Sequence, residues 1–212
     1  MTRADVTREK ILVAAEEIFA EKGIWGSRVD EIAERAGVNK RMLYAYFGNK
    51  EQLYVTVLER LYLRVSDHEK TLSVKDLGCV EAIPRIVRHY FDFLRENRSF
   101  VKLVMWENLN EGRYLATSDA SSIRGVSLVG LRRKLEEGIQ RGEFRADVDL
   151  DAVIVSFNMF CFSYFSNQYT FAKIMQTDFE SEEELERRCA HVSEMLLRYL
   201  LPFEARERNL KS

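Results

Sequence analysis

Apolar residues recur along this chain at helical spacing, and few segments alternate apolar with polar as a half-buried strand does. Ile11, Ala14, Ala15, Ile18 and Phe19 fall at i, i+3, i+4, i+7 and i+8, one stripe of an amphipathic helix. Thr7 is its expected N-cap, Lys10 opens its body and Gly23 stops it. A second helix is expected from Ser27, with Asp30 in a capping-box position and Val29, Ile32, Ala33 and Ala36 turned inward. Gly37 permits a sharp turn and Val38 fills the small core beside it. Asn39 then caps a third helix anchored by Leu43 and Phe47. Asn49, with Gln52 completing the box, caps a fourth helix from 50 to about 69 on the stripe Leu53, Val57, Leu61 and Val65.

A more polar connection, 67–79, follows. Five further helical patterns occupy 80–96, 98–110, 119–141, 150–171 and 181–201, separated by loops at 112–118, 142–149 and 175–180. Pro84 fits its helix only in the first turn, and Pro202 is a stop after the last one. The expected fold class is all-α. A helix-turn-helix domain, 1–52, is joined through the shared fourth helix to a helical domain, 53–212. Two prolines and ten glycines in 212 residues leave room for such long helices, and no internal repeat or low-complexity tract interrupts them.

The net charge of −2 is no footprint of a nonspecific polyanion binder, but the charge is unevenly placed. Between Arg35 and Lys50 stand four cations, Arg35, Lys40, Arg41 and Lys50, and no acid. A local basic patch on a near-neutral chain suits a reader of particular sites. The three cysteines, Cys79, Cys161 and Cys189, lie far apart among apolar residues and read as free core residues, without zinc-ligand or disulfide spacing. No metal or cofactor is expected. The N-terminal MTRADVTREK has no signal-peptide core, and the most apolar stretch, 150–165, is broken by Asp151, Ser156, Asn158 and Ser163, so a cytoplasmic protein is expected.

The segment 27–50 is therefore the candidate for chemistry. With Leu43 and Phe47 inward, Lys40, Arg41, Tyr44 and Tyr46 point outward or sideways from the third helix. Asn39 marks its N-terminus, where backbone N–H groups and the helix dipole favour a phosphate. Lys40 and Arg41 reach base edges, and Tyr44 offers a ring to a thymine methyl and a hydroxyl to a phosphate. Tyr46, Lys50 and Arg28 are assigned to the phosphate backbone, which fixes position rather than sequence.

These residues closely resemble the N-terminal DNA-binding domain of the TetR family of transcriptional regulators. The likeness rests on Ile32-Ala33, Ala36-Gly37-Val38-Asn39, Leu43-Tyr44-Ala45-Tyr46-Phe47 and Lys50-Glu51 with Leu53, and on ILVAAEEIFAEKG at 11–23. It covers about the first quarter of the chain. Arg28 stands where the family often has Thr, and Gly48 where Pro or Ser is frequent. The resemblance implies a homodimer whose last two long helices form a four-helix bundle, and a small effector bound in the second domain that releases an inverted-repeat operator.

The residues are compatible with both. Val153, Phe157 and Phe160, on a stretch that is apolar nearly all round, and Met195 and Tyr199, from a matching surface on the last helix, are candidates for the dimer interface. Candidate effector contacts are His89, Tyr90, Phe93, Phe100, Met105, Trp106, Asn158, Phe162, Tyr164 and Gln168, aromatic or polar groups on otherwise apolar helices. The expected function is a ligand-responsive transcriptional repressor that binds double-stranded operator DNA, with no membrane association. The alternatives are a DNA-binding regulator that is constitutive or controlled by a partner protein and, more distantly, a helical enzyme. No HExxH, GxSxG or P-loop supports the enzyme, and His68, His89 and His191 fall on different helices.

Overall fold

The computed structural model describes residues 2–118 and 128–202. Regular structure among them is entirely helical: α1 (Arg3–Gly26), α2 (Val29–Ala36), α3 (Lys40–Phe47), α4 (Lys50–Lys70), α5 (Cys79–Glu96), α6 (Arg98–Leu109), α7 (Val129–Gln140), α8 (Leu150–Ser166), α9 (Gln168–Met175) and α10 (Glu182–Leu200), with a 3₁₀ turn at Leu115–Thr117. Residues 119–127 of the helix expected over 119–141 lie outside the described part.

The chain forms two compact units. One takes the described residues of Met1–Ser66 and Asn97–Ser127, the other those of Asp67–Glu96 and Leu128–Ser212. Compactness thus follows a different division from the functional one expected at 52/53. The first unit keeps α6 with the helix-turn-helix, and the boundary falls inside α4.

In the first unit α1 packs on α2 and α6, and α2 on α3. The stripe read from the sequence is its core: Ile11, Ala15, Ile18, Phe19, Ile32, Leu43, Leu53 and Val57 are fully buried. Glu16 is buried with them and accepts from Arg64 at 3.0 and 2.8 Å and from Ser99 at 2.5 Å. Burial alone would raise its carboxyl pKa, but these hydrogen bonds outweigh it and hold the group below the usual carboxylate range.

In the second unit α5 packs on α7, α8 and α10. Arg88 joins Asp92 of α5 to Glu182 and Glu186 of α10, and Arg95 reaches Glu182 as well. Lys134, 1% exposed, is satisfied by the carbonyls of Lys75 and Leu77 and by Glu137. All three cysteines are free and buried.

Several expected boundaries move, each for a local reason. α1 starts at Arg3 rather than Lys10, because Thr2 and Asp5 form a reciprocal capping box that Thr7 does not. The Ser27/Asp30 box is absent. Arg28 is the N-cap of α2, and the buried Ser27 hydroxyl donates to the carbonyls of Gly23 at 2.5 Å and Ile18 at 3.3 Å. Asn49 does cap α4 by accepting from Gln52 N at 2.8 Å, whereas its own N–H goes to Phe47 rather than to the Gln52 side chain. Pro84 lies past the first turn of α5, on its exposed side. The helix expected over 150–171 is two helices. Asn167 interrupts it, with its side-chain amide bonded to the Ser163 carbonyl and to the hydroxyls of Ser163 and Ser166.

Glu69, in the last turn of α4, accepts a hydrogen bond from the backbone N–H of Val129, but burial dominates and pushes its carboxyl up to about 7. The folded protein therefore holds this proton more tightly than the unfolded chain, whose Glu titrates near 4.5. Its contribution to stability is complete below the unfolded value and is lost as pH rises through about 7. Glu69→Gln should accordingly raise the melting temperature at pH 8 and change it little at pH 4. An equal rise at both pH values would refute this assignment.

Candidate nucleic-acid interface

α2 and α3 meet at a turn that the sequence determines locally. Gly37 takes φ 64° and ψ 37°, the left-handed conformation that favours glycine, and the N–H groups of Gly37 and Val38 return to the last carbonyls of α2. Asn39 caps α3 by accepting from Arg41 N at 2.9 Å. Leu43 and Phe47 are buried against the hairpin. The opposite face of α3 is consequently exposed.

Arg41 is exposed on that face, as is Tyr44, whose accessibility of 44% is high for an aromatic side chain. Asn39 and Arg28 are exposed at the N-termini of α3 and α2. Lys40 is exposed but paired with Asp30 at 2.8 Å, and that hydrogen bond raises its pKa. Engagement of a base or phosphate by Lys40 has to compete with this acid. Tyr46 is half-buried, its ring tilted against Phe47 at 6.3 Å.

Lys50 differs from its expected role. Its ammonium donates to the carbonyls of Ile24 at 2.8 Å and Ser27 at 3.1 Å, so two of its three donors already hold the segment that leads into α2. Lys50→Ala should therefore destabilise the N-terminal unit by about 1–3 kcal/mol through the carbonyls left unpaired. It should leave the salt dependence of DNA binding nearly unchanged. A salt slope smaller by a full unit would restore a direct phosphate contact.

Sequence reasoning missed Arg8. It stands on α1, remote in sequence from the hairpin, yet its guanidinium lies 5.4 Å from the centre of the Phe47 ring at the end of α3. The cationic ends of the first turns of α1 carried a signal, but nothing local placed one of them against α3.

The other candidate residues do not assemble into one site. His89 stacks on His68 with ring centres 3.9 Å apart, and each ring nitrogen faces the other residue's backbone oxygen. Burial lowers the His89 pKa, and the hydrogen bond to the His68 backbone opposes it without reversing the direction. Tyr90 and Phe93 are buried beside this pair, and Phe157 lies 5.4 Å from Tyr90. The exposed Asn158 reaches the Tyr90 hydroxyl at 3.4 Å, while Phe162 is half-buried. Tyr164 belongs to a different cluster with Phe91, Phe165 and Phe179, and borders a groove of about 380 Å³. Gln168 is buried and bonded to Glu180. Phe100, Met105 and Trp106 are in the first compact unit. There Phe100 packs on Tyr62, Met105 is exposed and Trp106 lies on Gly23.

Among the candidate interface residues, Phe157 is corrected to core, since none of its surface is exposed in the single chain. Its stripe of α8 faces Tyr90 of α5. Val153, Phe160, Met195 and Tyr199 do share one place, a groove of about 520 Å³ on α8 and α10. Among the described residues no group of three or more His, Cys, Asp or Glu could hold a metal, and no helix is long and apolar enough to cross a membrane.

A framed hairpin of two short helices, with arginine and tyrosine exposed on the second, defines a helix-turn-helix DNA-binding regulator. Residues 11–57 match the family profile described as "Bacterial regulatory proteins, tetR family", and residues 80–196 match "Tetracyclin repressor-like, C-terminal domain". The chain belongs to the TetR family of transcriptional regulators. It is 30% identical to the HTH-type transcriptional repressor NicS of Pseudomonas putida over 93% of this chain and 94% of that one. Among solved structures, the Streptomyces coelicolor regulator SCO4942 aligns with a TM-score of 0.69 at 26% identity, covering 92% of this chain and 98% of that one. The fatty acid degradation regulator FadR of Bacillus halodurans shares the fold, with a TM-score of 0.70 at 22% identity over 89% and 93% of the two chains.

Proposed function

We propose that this chain is a homodimeric repressor that binds an inverted-repeat operator through α3 and leaves it when a small molecule binds the C-terminal domain. The observation that carries the reading is the exposed face of α3, with Arg41 and Tyr44 free to meet base edges on a helix whose inner face is locked by Leu43 and Phe47. Asn39, Lys40, Tyr46 and Arg28 join them, and Arg8 is added as a backbone contact. Residues 1–52 serve DNA binding and 53–212 effector binding and dimerisation. Repression is the direction that NicS carries in its name. A cytoplasmic location follows from binding an operator on bacterial DNA.

A dimer suits the operator, because two-fold symmetry sets two reading helices one helical turn, roughly 34–36 Å, apart. The groove lined by Val153, Phe160, Met195 and Tyr199, together with the exposed Val155 and Met159 of α8, supplies an apolar face for the second copy. The effector contacts favoured are His89, Tyr90, Phe93 and Asn158, with His68 and Phe157 closing the cluster. Moving the operator from mostly occupied to mostly free takes about 10⁴-fold preference of the effector for the released conformer.

The test is selection of bound duplexes from a random pool at near-physiological salt. Enrichment of one inverted repeat supports the reading. A folded, dimeric protein that enriches nothing overturns it.

A further inference from the structure

The chain changes direction between α1 and α2 at Gly23, whose φ of 64° and ψ of 177° interrupt the helix inside α1. The short segment after this kink leads into the reading hairpin, so its direction, together with the packing of α2 on α1, sets where α3 points. Two side chains at the C-terminal end of α6, Trp106 and the C-cap Asn110, hold the segment, and a third, Glu107, fixes the turn beside it. The Trp106 ring lies so close to Gly23 that an added Cβ would sit 2.8 Å from it, and its Nε1 donates to the Ala20 carbonyl at 3.4 Å. Asn110 Oδ1 accepts from Trp25 Nε1 at 2.8 Å, and its amide nitrogen is itself anchored on the Trp106 carbonyl at 2.7 Å. Glu107, 4% exposed, accepts the N–H groups of Tyr114 and Leu115 at 2.8 Å each. That fixes the turn after α6 so that the Tyr114 ring stands 6.5 Å from Trp25 and 5.2 Å from Tyr54 of α4. From the other side Lys50 grips Ile24 and Ser27.

We infer that Trp106 and Asn110 are positioning residues for operator recognition, which set the angle of the α2–α3 hairpin at the Gly23 kink and so the spacing of half-sites that the dimer accepts. The inference rests on the reading of this chain as a dimer on an inverted repeat. Two features separate it from ordinary packing. The contacts fall on a kink rather than on a core stripe, and Trp25, the partner of Asn110, is 68% exposed. A hydrogen bond to so exposed a group contributes little stability, yet it restrains direction. A small rotation at Gly23 is enlarged at α3, and a symmetric dimer carries it in both halves.

The test uses the full-length chain and the repeat that it selects, with the spacer between half-sites randomised. Asn110→Ala and Trp106→Leu are compared with Leu103→Ala, a control on the buried side of α6. Asn110→Ala should keep the dimer mass, the affinity for random duplex and its salt slope. It should lower the ratio of specific to nonspecific affinity about tenfold, comparable to one lost base contact, and broaden or shift the preferred spacer. Leu103→Ala should lower the melting temperature and leave the preferred spacer as in the wild type. Asn110→Ala and Trp106→Leu variants that keep both ratio and spacer preference of the control overturn the inference, while the operator reading stands. Wild-type protein that selects no inverted repeat overturns both.

Discussion

Gly23→Val is expected to unfold the N-terminal unit under conditions in which the wild-type chain is intact. Two costs combine. A φ of 64° with ψ near 180° belongs to a region that is essentially glycine-only, which costs a residue with a side chain about 1–3 kcal/mol. The added Cβ also meets Cδ2 and Cε3 of Trp106 at 2.8 Å, and these ring atoms cannot swing away as the tip of a flexible chain could. Overpacking of this kind adds about 1–3 kcal/mol. The total is a large part of the roughly 5–15 kcal/mol that stabilises a typical domain. Urea unfolding monitored by tryptophan fluorescence measures it. Gly112→Ala is the control: φ is 70° there but nothing lies within 4 Å of the new Cβ, so only a backbone cost is expected. Adding Trp106→Ala to Gly23→Val should return the steric part only. If Gly23→Val unfolds at the wild-type midpoint, the kink is not a structural requirement and Trp106 and Asn110 do not set the hairpin angle through it.

The second large effect is expected at the reading face. Arg41→Ala should weaken the selected operator by about 1–3 kcal/mol, roughly ten- to a hundredfold, if its guanidinium pairs with a guanine edge. Binding to random duplex should fall only slightly, and the melting temperature should hold, because Arg41 is exposed. Tyr44→Ala should also cost specific affinity while leaving the mass of the dimer unchanged. Competition binding with operator and scrambled duplex at several salt concentrations separates the outcomes. A loss shared equally by both duplexes would demote Arg41 to a phosphate contact. No loss in either variant would remove α3 as the reading helix.

Much of this site was legible in the sequence because its determinants are local. The Gly37 turn, the Asn39 cap and the Leu43/Phe47 pair lie within a few residues of each other, and the periodicity of the helix alone turns Arg41 and Tyr44 outward. Ser27 and Lys50 show the limit. Ser before a helix and Lys after a reading helix have familiar roles, but Ser27 was diverted backward into the end of α1, and Lys50 to carbonyls that only the folded chain brings near. Ser27 bonds back to Gly23 and Ile18, and Lys50 reaches across to Ile24 and Ser27. Asn167 was a different failure. The apolar periodicity of 150–171 runs through it, and a cluster of short polar side chains competing for the backbone broke the helix where hydropathy gave no warning.

The amino-acid sequence by itself determined the all-α class, the stripes of α1 and α4, the hairpin and its exposed face, since helical period, caps and glycine conformation act over a turn or two. Which aromatic residues meet was decided only by tertiary structure. Tyr90, Phe93 and Phe157 converge, Tyr164 joins another cluster, and Trp106 goes to Gly23, although all of them look alike as aromatics on apolar helices. The same is true of Phe157, whose side of α8 is covered by its own chain while Met159 two residues on is exposed. Burial is non-directional and names no partner, so the pattern says which side of a helix is covered, and only the packing of distant helices says by what.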